Sequence, residues 1–179
     1  YGPKLDFMFK DAIGREWQLA TIQCDFNLPN RFELAFTNEE GQKERPVVIH
    51  RAICGSFERF MGIMIEHFAG AFPTWLAPVQ VQIIPIAEAH QEFANKVAKE
   101  WRAKGMRVSI DDRNESLGKR IRESEQDKVP YMLVMGDKEI AAASVAVRNF
   151  HTKEQKVITI AEFEAMILQE IQSRALPSS

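Results

Sequence analysis

The sequence is short of most features that assign a function on sight. Its 2 cysteines, Cys24 and Cys54, stand alone in apolar, strand-like contexts among 179 residues. That excludes a disulfide-stapled scaffold and a CxxC metal knuckle, and reads as two buried free thiols. No apolar run is long enough to span a bilayer and no secretory-type leader opens the chain, so a cytoplasmic location with no membrane partner is expected. Charge of one sign is missing too. The net charge is -2, and from Pro78 onward 15 Lys plus Arg face 15 Asp plus Glu. Without a basic field, any nucleic-acid partner must be met by a local constellation. Repeats and low-complexity tracts are absent, and the chain begins YGPK without an initiator Met, which reads as a piece of something larger.

What is present is an ordinary globular composition, 45% hydrophobic and 27% charged, long enough for one large domain or two modest ones. LDFMF (5–9), WQLATIQCDF (17–26) and RFELAFT (31–37) read as antiparallel strands separated by DAIG, NLPN and NEEGQKERP turns, with PVVIH closing the meander. A helix is expected from about Ser56 to Ala69, with Gly70 as a left-handed cap. FPTWLAP (72–78), with two prolines and no charge, marks a boundary. Beyond it strands and helices alternate: VQVQIIPI, a helix over 88–105 with Phe93, Val97 and Trp101 in phase, MRVSIDD, SLGKRIRESEQ, PYMLVMG, SVAVRNF and a helix from TIAEF. The expected class is α/β: a truncated antiparallel α+β part over 1–72, a linker at 73–78, and over 79–179 a mixed, mostly parallel sheet flanked by helices.

On a wheel of about 100° per residue, Phe57, Phe60, Met61, Ile63, Met64 and Phe68 form an apolar arc expected to be core. Glu58, Arg59, Gly62, Glu66 and Ala69 form the opposite stripe. A charged stripe is ordinarily a solvated face. Gly62 argues otherwise, because mid-helix glycine costs roughly 1 kcal/mol against alanine. So does the lead-in: Ile49-His50-Arg51 ends a strand and Gly55-Ser56 opens the helix, bringing His50, Ser56 and Arg59 to a helix N-terminus, where anions are favoured.

GSFERF after a strand resembles the third signature motif of class II aminoacyl-tRNA synthetases. Together with YGPK, WQLATIQCDFNLP, IHRAICGSFERF, GAFPTWLAPVQV, DDRNESLGKRIRE, VPYMLVMGDKE and VAVR, it is similar to the threonyl family over the whole chain, from the latter part of the catalytic domain through the anticodon-binding domain. The resemblance implies ATP-dependent activation of threonine, with Mg2+, and transfer to tRNA(Thr) by a homodimer. It implies Arg59, Ser56 and Gln18 at the ATP, and Tyr1, Lys4 and Gln23 at the threonine. It implies His50 as one of three ligands of a Zn2+ that selects threonine. On residue type alone, Gln18 and Gln23 would be polar positions of a half-exposed strand, and His50 a hydrogen-bonded strand end.

In the second domain the resemblance implies anticodon contacts from Asn114, Arg122, Lys138, Glu139 and Arg148. Unstacked bases can be met at their edges by such groups, and these five are expected to cluster at one edge of the sheet. Read singly they would be surface, with GDKE an ordinary turn. The first two class II motifs, with the arginine for the α-phosphate, and the other two zinc ligands do not occur in the sequence. Two other readings stay open: a free-standing RNA-binding module that kept a relic of the catalytic sheet, and a class II ligase for another amino acid.

Overall fold

The computed structural model describes residues 2–177. The chain divides into two compact units, Tyr1–His67 and Phe68–Ser179. No helix among the described residues is long and apolar enough to cross a membrane.

In the first unit β1 (Lys4–Lys10), β2 (Glu16–Asp25) and β5 (Val48–Ala52) make an antiparallel sheet in the order β1-β2-β5. The expected strand over 31–37 does not form. NLPN instead belongs to a short helix, α1 (Asn27–Arg31). The Asp25 carboxylate starts it by accepting from the amides of Asn27 and Leu28 at 2.8 and 3.1 Å, and Pro29 falls in the first turn, where no amide is needed. Glu33 then takes a left-handed φ of 52°, and Arg45 claims the carbonyls of Leu34 and Pro29 at 2.5 and 3.3 Å, so the segment has neither the backbone nor the free acceptors of a strand. Only a two-residue ribbon remains, β3 (Phe36–Thr37) against β4 (Lys43–Glu44).

Helix α2 (Phe57–His67) forms as expected but carries no buried residue. Phe57 is 72% and Met61 44% exposed, so its apolar arc is not core. Phe60, Ile63 and Met64 of that arc are half-buried, and on the exposed polar stripe Arg59 reaches the Gln18 carbonyl at 3.4 Å while Arg15 donates to both oxygens of Glu66 at 2.7 and 2.5 Å. With β1 exposed along its length, Leu19 and Pro29 are the buried apolar side chains among the described residues of this unit. Cys24 and Cys54 are free but only partly buried.

The second unit holds the large core. Its sheet has the order β10-β9-β8-β6-β7, from β6 (Val81–Pro85), β7 (Val108–Ile110), β8 (Tyr131–Met135), β9 (Ser144–Asn149) and β10 (Gln155–Thr159). Parallel pairing is confined to β6 with β7 and β8, while β8–β9 and β9–β10 are antiparallel; the sheet is mixed, and less parallel than expected. Helices α3 (Gln91–Ala103) and α6 (Ile160–Ser173) cover one face, where Val97, Trp101, Phe163 and Ile167 pack on Val81, Ile83, Leu133, Val145 and Val147. α4 (Leu117–Gln126) packs against β6. GDKE is not a plain turn but the start of α5 (Asp137–Ala141). The stretch 73–78, expected as a linker, is sewn into this unit: Thr74 donates to Glu170 at 2.6 Å, Gln80 donates to the Thr74 carbonyl at 2.9 Å, and Arg107 donates to the carbonyls of Ala77 and Trp75, each at 2.8 Å.

Candidate functional site

Each unit carries its own candidate site. In the first, pairing across the sheet sets Lys4 opposite Gln23 and Gln23 opposite His50, so the three side chains form one row on one face. Two glutamines five apart on a regular strand would point to opposite faces. Here the register slips, with Phe7 opposite Ala20 but Met8 opposite Gln18. The bulge returns Gln18 to the face of Gln23, and Gln18 donates to Asp6 at 2.6 Å, the carboxylate that also pairs with Lys4 at 3.1 Å. Tyr1 lies outside the described residues.

The start of α2 borders this face. Ser56 Oγ accepts from the Arg59 amide at 3.3 Å, and Gly55 sits at φ +67°, where an added Cβ would lie 3.1 Å from the Leu19 carbonyl. Strand and helix can approach this closely only with glycine there. Gln18, Ser56 and Arg59 are thereby brought together. Gly62 has no such constraint: a Cβ there would meet nothing within 4 Å.

His50 Nε2 lies 2.7 Å from Oδ2 of Asp25, a carboxylate with no exposed surface. The His50 contact, against the cost of burial and with help from the amides of Leu28 and Asn27, holds the Asp25 carboxyl below its ordinary range. Among the described residues no three His, Cys, Asp or Glu side chains gather as metal ligands, and His50 is a single donor with one nitrogen committed. The residues present do not make a zinc site. Asp25 was not foreseen; its signal was DFN ahead of a proline, the pattern of an aspartate that caps a turn.

The hairpin of this unit has its own charge network. Although burial pushes the other way, the indole of Trp17 and the side chain and amide of Arg15 hold Asp11 down from 3.8 to about 2. A depressed carboxyl contributes stability that is present above its unfolded value and lost as pH falls through the folded one. The thermal midpoint of the first unit should therefore drop between pH 3.8 and about 2, and Asp11→Asn should flatten that drop. Calorimetry across this range checks it; equal pH profiles for both proteins would contradict it.

In the second unit the five expected residues do not share one edge. The parallel strands β6, β7 and β8 put their C-terminal ends together, and Asn114, Lys138 and Glu139 follow β7 and β8 there. Arg148 is opposite Met132, near the other end of β8. It lies 3.7 Å from Glu125 in the last turn of α4, the helix that also carries exposed Arg122. Asn114 opens onto a recess of about 420 Å³ with Glu88, Gln91 and Arg120. Glu139 spends one oxygen on the Gly136 amide at 3.0 Å, and a Cβ on Gly136 would come within 2.6 Å of Ile86, so the loops after β6 and β8 interlock.

Arg120, only 5% exposed, went unrecognised. Its guanidinium donates to the carbonyls of Pro85 and Asp111 at 2.8 and 2.9 Å, and weakly to Ile86 at 3.4 Å. β7 ends at Ile110 while β6 continues to Pro85, and Arg120 spans the strand ends where the ladder stops. Nearby, Arg113 holds the buried Asp111 carboxyl low against the cost of burial. The signal for Arg120 was a charged residue four positions before small Ser124, in the phase of the buried stripe of its helix.

Two family models match the chain. One described as "tRNA synthetase class II core domain (G, H, P, S and T)" matches residues 1–68, and one described as "Anticodon binding domain" matches residues 80–170. The threonine–tRNA ligase of Clostridium tetani is 51% identical over 179 residues, 100% of this chain and 28% of that protein. That of Thermotoga maritima is 50% identical, with 100% and 28% covered. A crystal structure of the RNA binding domain of threonyl-tRNA synthetase from Cryptosporidium parvum Iowa II is similar with a TM-score of 0.81 and 39% identity, over 94% of this chain and 43% of that one. The chain thus spans little more than a quarter of the length of the curated relatives it matches.

Proposed function

The chain belongs to the class II aminoacyl-tRNA synthetases, in the threonine–tRNA ligase family, and from that premise we propose that it is the part of such a ligase that walls the aminoacyl-adenylate pocket and grips the anticodon. The whole enzyme would activate threonine with ATP and Mg2+ and pass it to tRNA(Thr), as a homodimer in the cytoplasm. Arg59, with Ser56 and Gln18, would hold the nucleotide: a guanidinium can lie flat on a base while the helix N-terminus favours phosphate. Lys4 and Gln23, one row across the sheet, would meet the amino acid. Asn114, Arg122, Lys138, Glu139 and Arg148 would meet the unstacked anticodon.

The observation that carries this reading is the bulge at Gln18. It brings Gln18 to the face on which register has already aligned Lys4, Gln23 and His50, and Arg59 reaches the Gln18 carbonyl, an arrangement that a solvated sheet has no reason to keep. In a full-length ligase carrying these residues, Arg59→Ala should slow threonine-dependent ATP–pyrophosphate exchange by about ten- to a hundredfold, the scale of one lost stacking contact to the nucleotide base. The 179 residues alone, without the α-phosphate arginine, should not exceed a no-enzyme control. Unchanged exchange by the Arg59 variant, or exchange by this chain alone, would contradict the proposal.

A further inference from the structure

Neither site above uses His90, which ends the 3-10 turn Glu88–His90 that leads from β6 into α3 and is 6% exposed. Its Nδ1 accepts from the Ala87 amide at 3.1 Å, so that nitrogen carries no proton and the proton of the neutral ring sits on Nε2. Nε2 then donates to Oδ1 of Asp137 at 3.0 Å. A buried imidazole with both nitrogens bonded is ordinarily a satisfied core residue. The acceptor points to more, because the Asp137 side chain is 97% exposed, and a donor that reaches the surface can be satisfied by water instead.

What the bond fixes is the first residue of α5. That helix has five residues, far fewer than the roughly 12 to 15 a helix needs to persist by itself, so its direction is set by ties to its surroundings. Three successive residues take such ties from one loop. The Ile86 amide donates to the Met135 carbonyl at 2.9 Å, the Ile86 side chain closes on Gly136, and His90 holds Asp137. Exposed Lys138 and half-buried Glu139 follow at once. The same loop, through Pro85, Ala87 and Glu88, walls the recess onto which Asn114 opens.

We propose that His90 is a positioning residue for anticodon reading: through Asp137 it fixes the start of α5, and so holds Lys138 and Glu139 in a set place relative to Asn114. The proposal rests on the anticodon reading above and adds to it a residue that touches no base. What His90 needs opposite it is an acceptor and not a charge, since the ring is neutral with Nε2 as donor.

Asp137→Asn keeps an acceptor and Asp137→Ala does not, while both remove the same negative charge, so the difference between them isolates the hydrogen bond. Affinities of the full chain are measured for the anticodon stem-loop of threonine tRNA and for the same stem-loop with its three anticodon bases replaced; the readout is their ratio. Asp137→Asn should keep the wild-type ratio within about twofold, and Asp137→Ala should lower it by about three- to tenfold, the net worth of one hydrogen bond. In a chain already carrying Lys138→Ala and Glu139→Ala, Asp137→Ala should lower the ratio no further. A wild-type ratio in Asp137→Ala, an equal fall in both variants, or a fall that persists without the Lys138 and Glu139 side chains overturns the positioning role and leaves the anticodon reading standing. Equal affinities of the wild-type chain for the two loops overturn the anticodon reading, and the positioning role with it.

Discussion

Replacing Trp101 by alanine should remove about 3 to 5 kcal/mol from the stability of the second unit, the usual cost of emptying a large aromatic site in a core. Trp101 is 1% exposed. Its ring lies 5.3 Å from that of Phe163, itself 5.4 Å from Tyr131, so α3, α6 and β8 meet at one cluster. Its indole also donates to Glu164 at 2.9 Å, and that acceptor would lose its partner. A domain is stable by only about 5 to 15 kcal/mol, so much of the reserve should go with one side chain. Urea unfolding followed by circular dichroism measures it, and a loss below about 1 kcal/mol would contradict the packing described. Anticodon binding by the residues proposed above should fall in parallel, because Asn114, Lys138 and Glu139 follow strand ends that this core holds in register.

The second large effect is expected at Arg120. In Arg120→Met the carbonyls of Pro85 and Asp111, and the weaker contact at Ile86, lose their donor in a buried place. Buried acceptors left unsatisfied cost roughly 1 to 3 kcal/mol each, partly offset because a buried charge is removed too. A net loss of about 3 kcal/mol is reasonable on that scale. Function should suffer beyond stability: Pro85, Ile86 and Arg120 line the recess that Asn114 opens onto, and without the shared donor the strand ends can splay. Arg120→Lys, which keeps the charge and some donors, should recover part of both losses. Equal stability of the Met variant and wild type would show that Arg120 does not hold the strand ends.

The sequence carried the strongly patterned elements and missed those fixed by single polar contacts. α3 was legible because Phe93, Val97 and Trp101 repeat in phase, and β6 and β8 because their apolar runs stop at turns. β10 was not separated from α6, since KVITI runs directly into TIAEF. The cue was the capping box of α6, in which Thr159 accepts from the Glu162 amide at 3.2 Å and Glu162 accepts from the Thr159 amide at 2.9 Å. α1 starts on a local cap, the Asp25 carboxylate two and three residues before the amides it accepts from, and the loss of the strand over 31–37 turns on Arg45, whose partners Leu34 and Pro29 lie 11 and 16 residues back; hydrophobic periodicity registers neither. The apolar arc of α2 is a true pattern, yet only half of it is covered, at Phe60, Ile63 and Met64, because amphipathicity states what a helix can cover and is silent on what lies opposite. Of the candidate sites, the residue types were legible and the geometry was not. The bulge that gathers Gln18 with Gln23 and the pairing that sets Arg148 opposite Met132, away from Asn114, Lys138 and Glu139, both depend on register between strands.

We propose that the second unit recognises an anticodon through a local constellation and not through a general basic field. It is tested most directly by titrating the chain, at one fixed salt concentration, with the anticodon stem-loop of threonine tRNA and with the same stem-loop after its three anticodon bases are replaced. Base-specific contacts are worth about 1 to 3 kcal/mol each, so the account predicts binding at least about tenfold tighter for the original loop. Affinities equal within about twofold would mean that only the phosphate backbone is felt, and would contradict it.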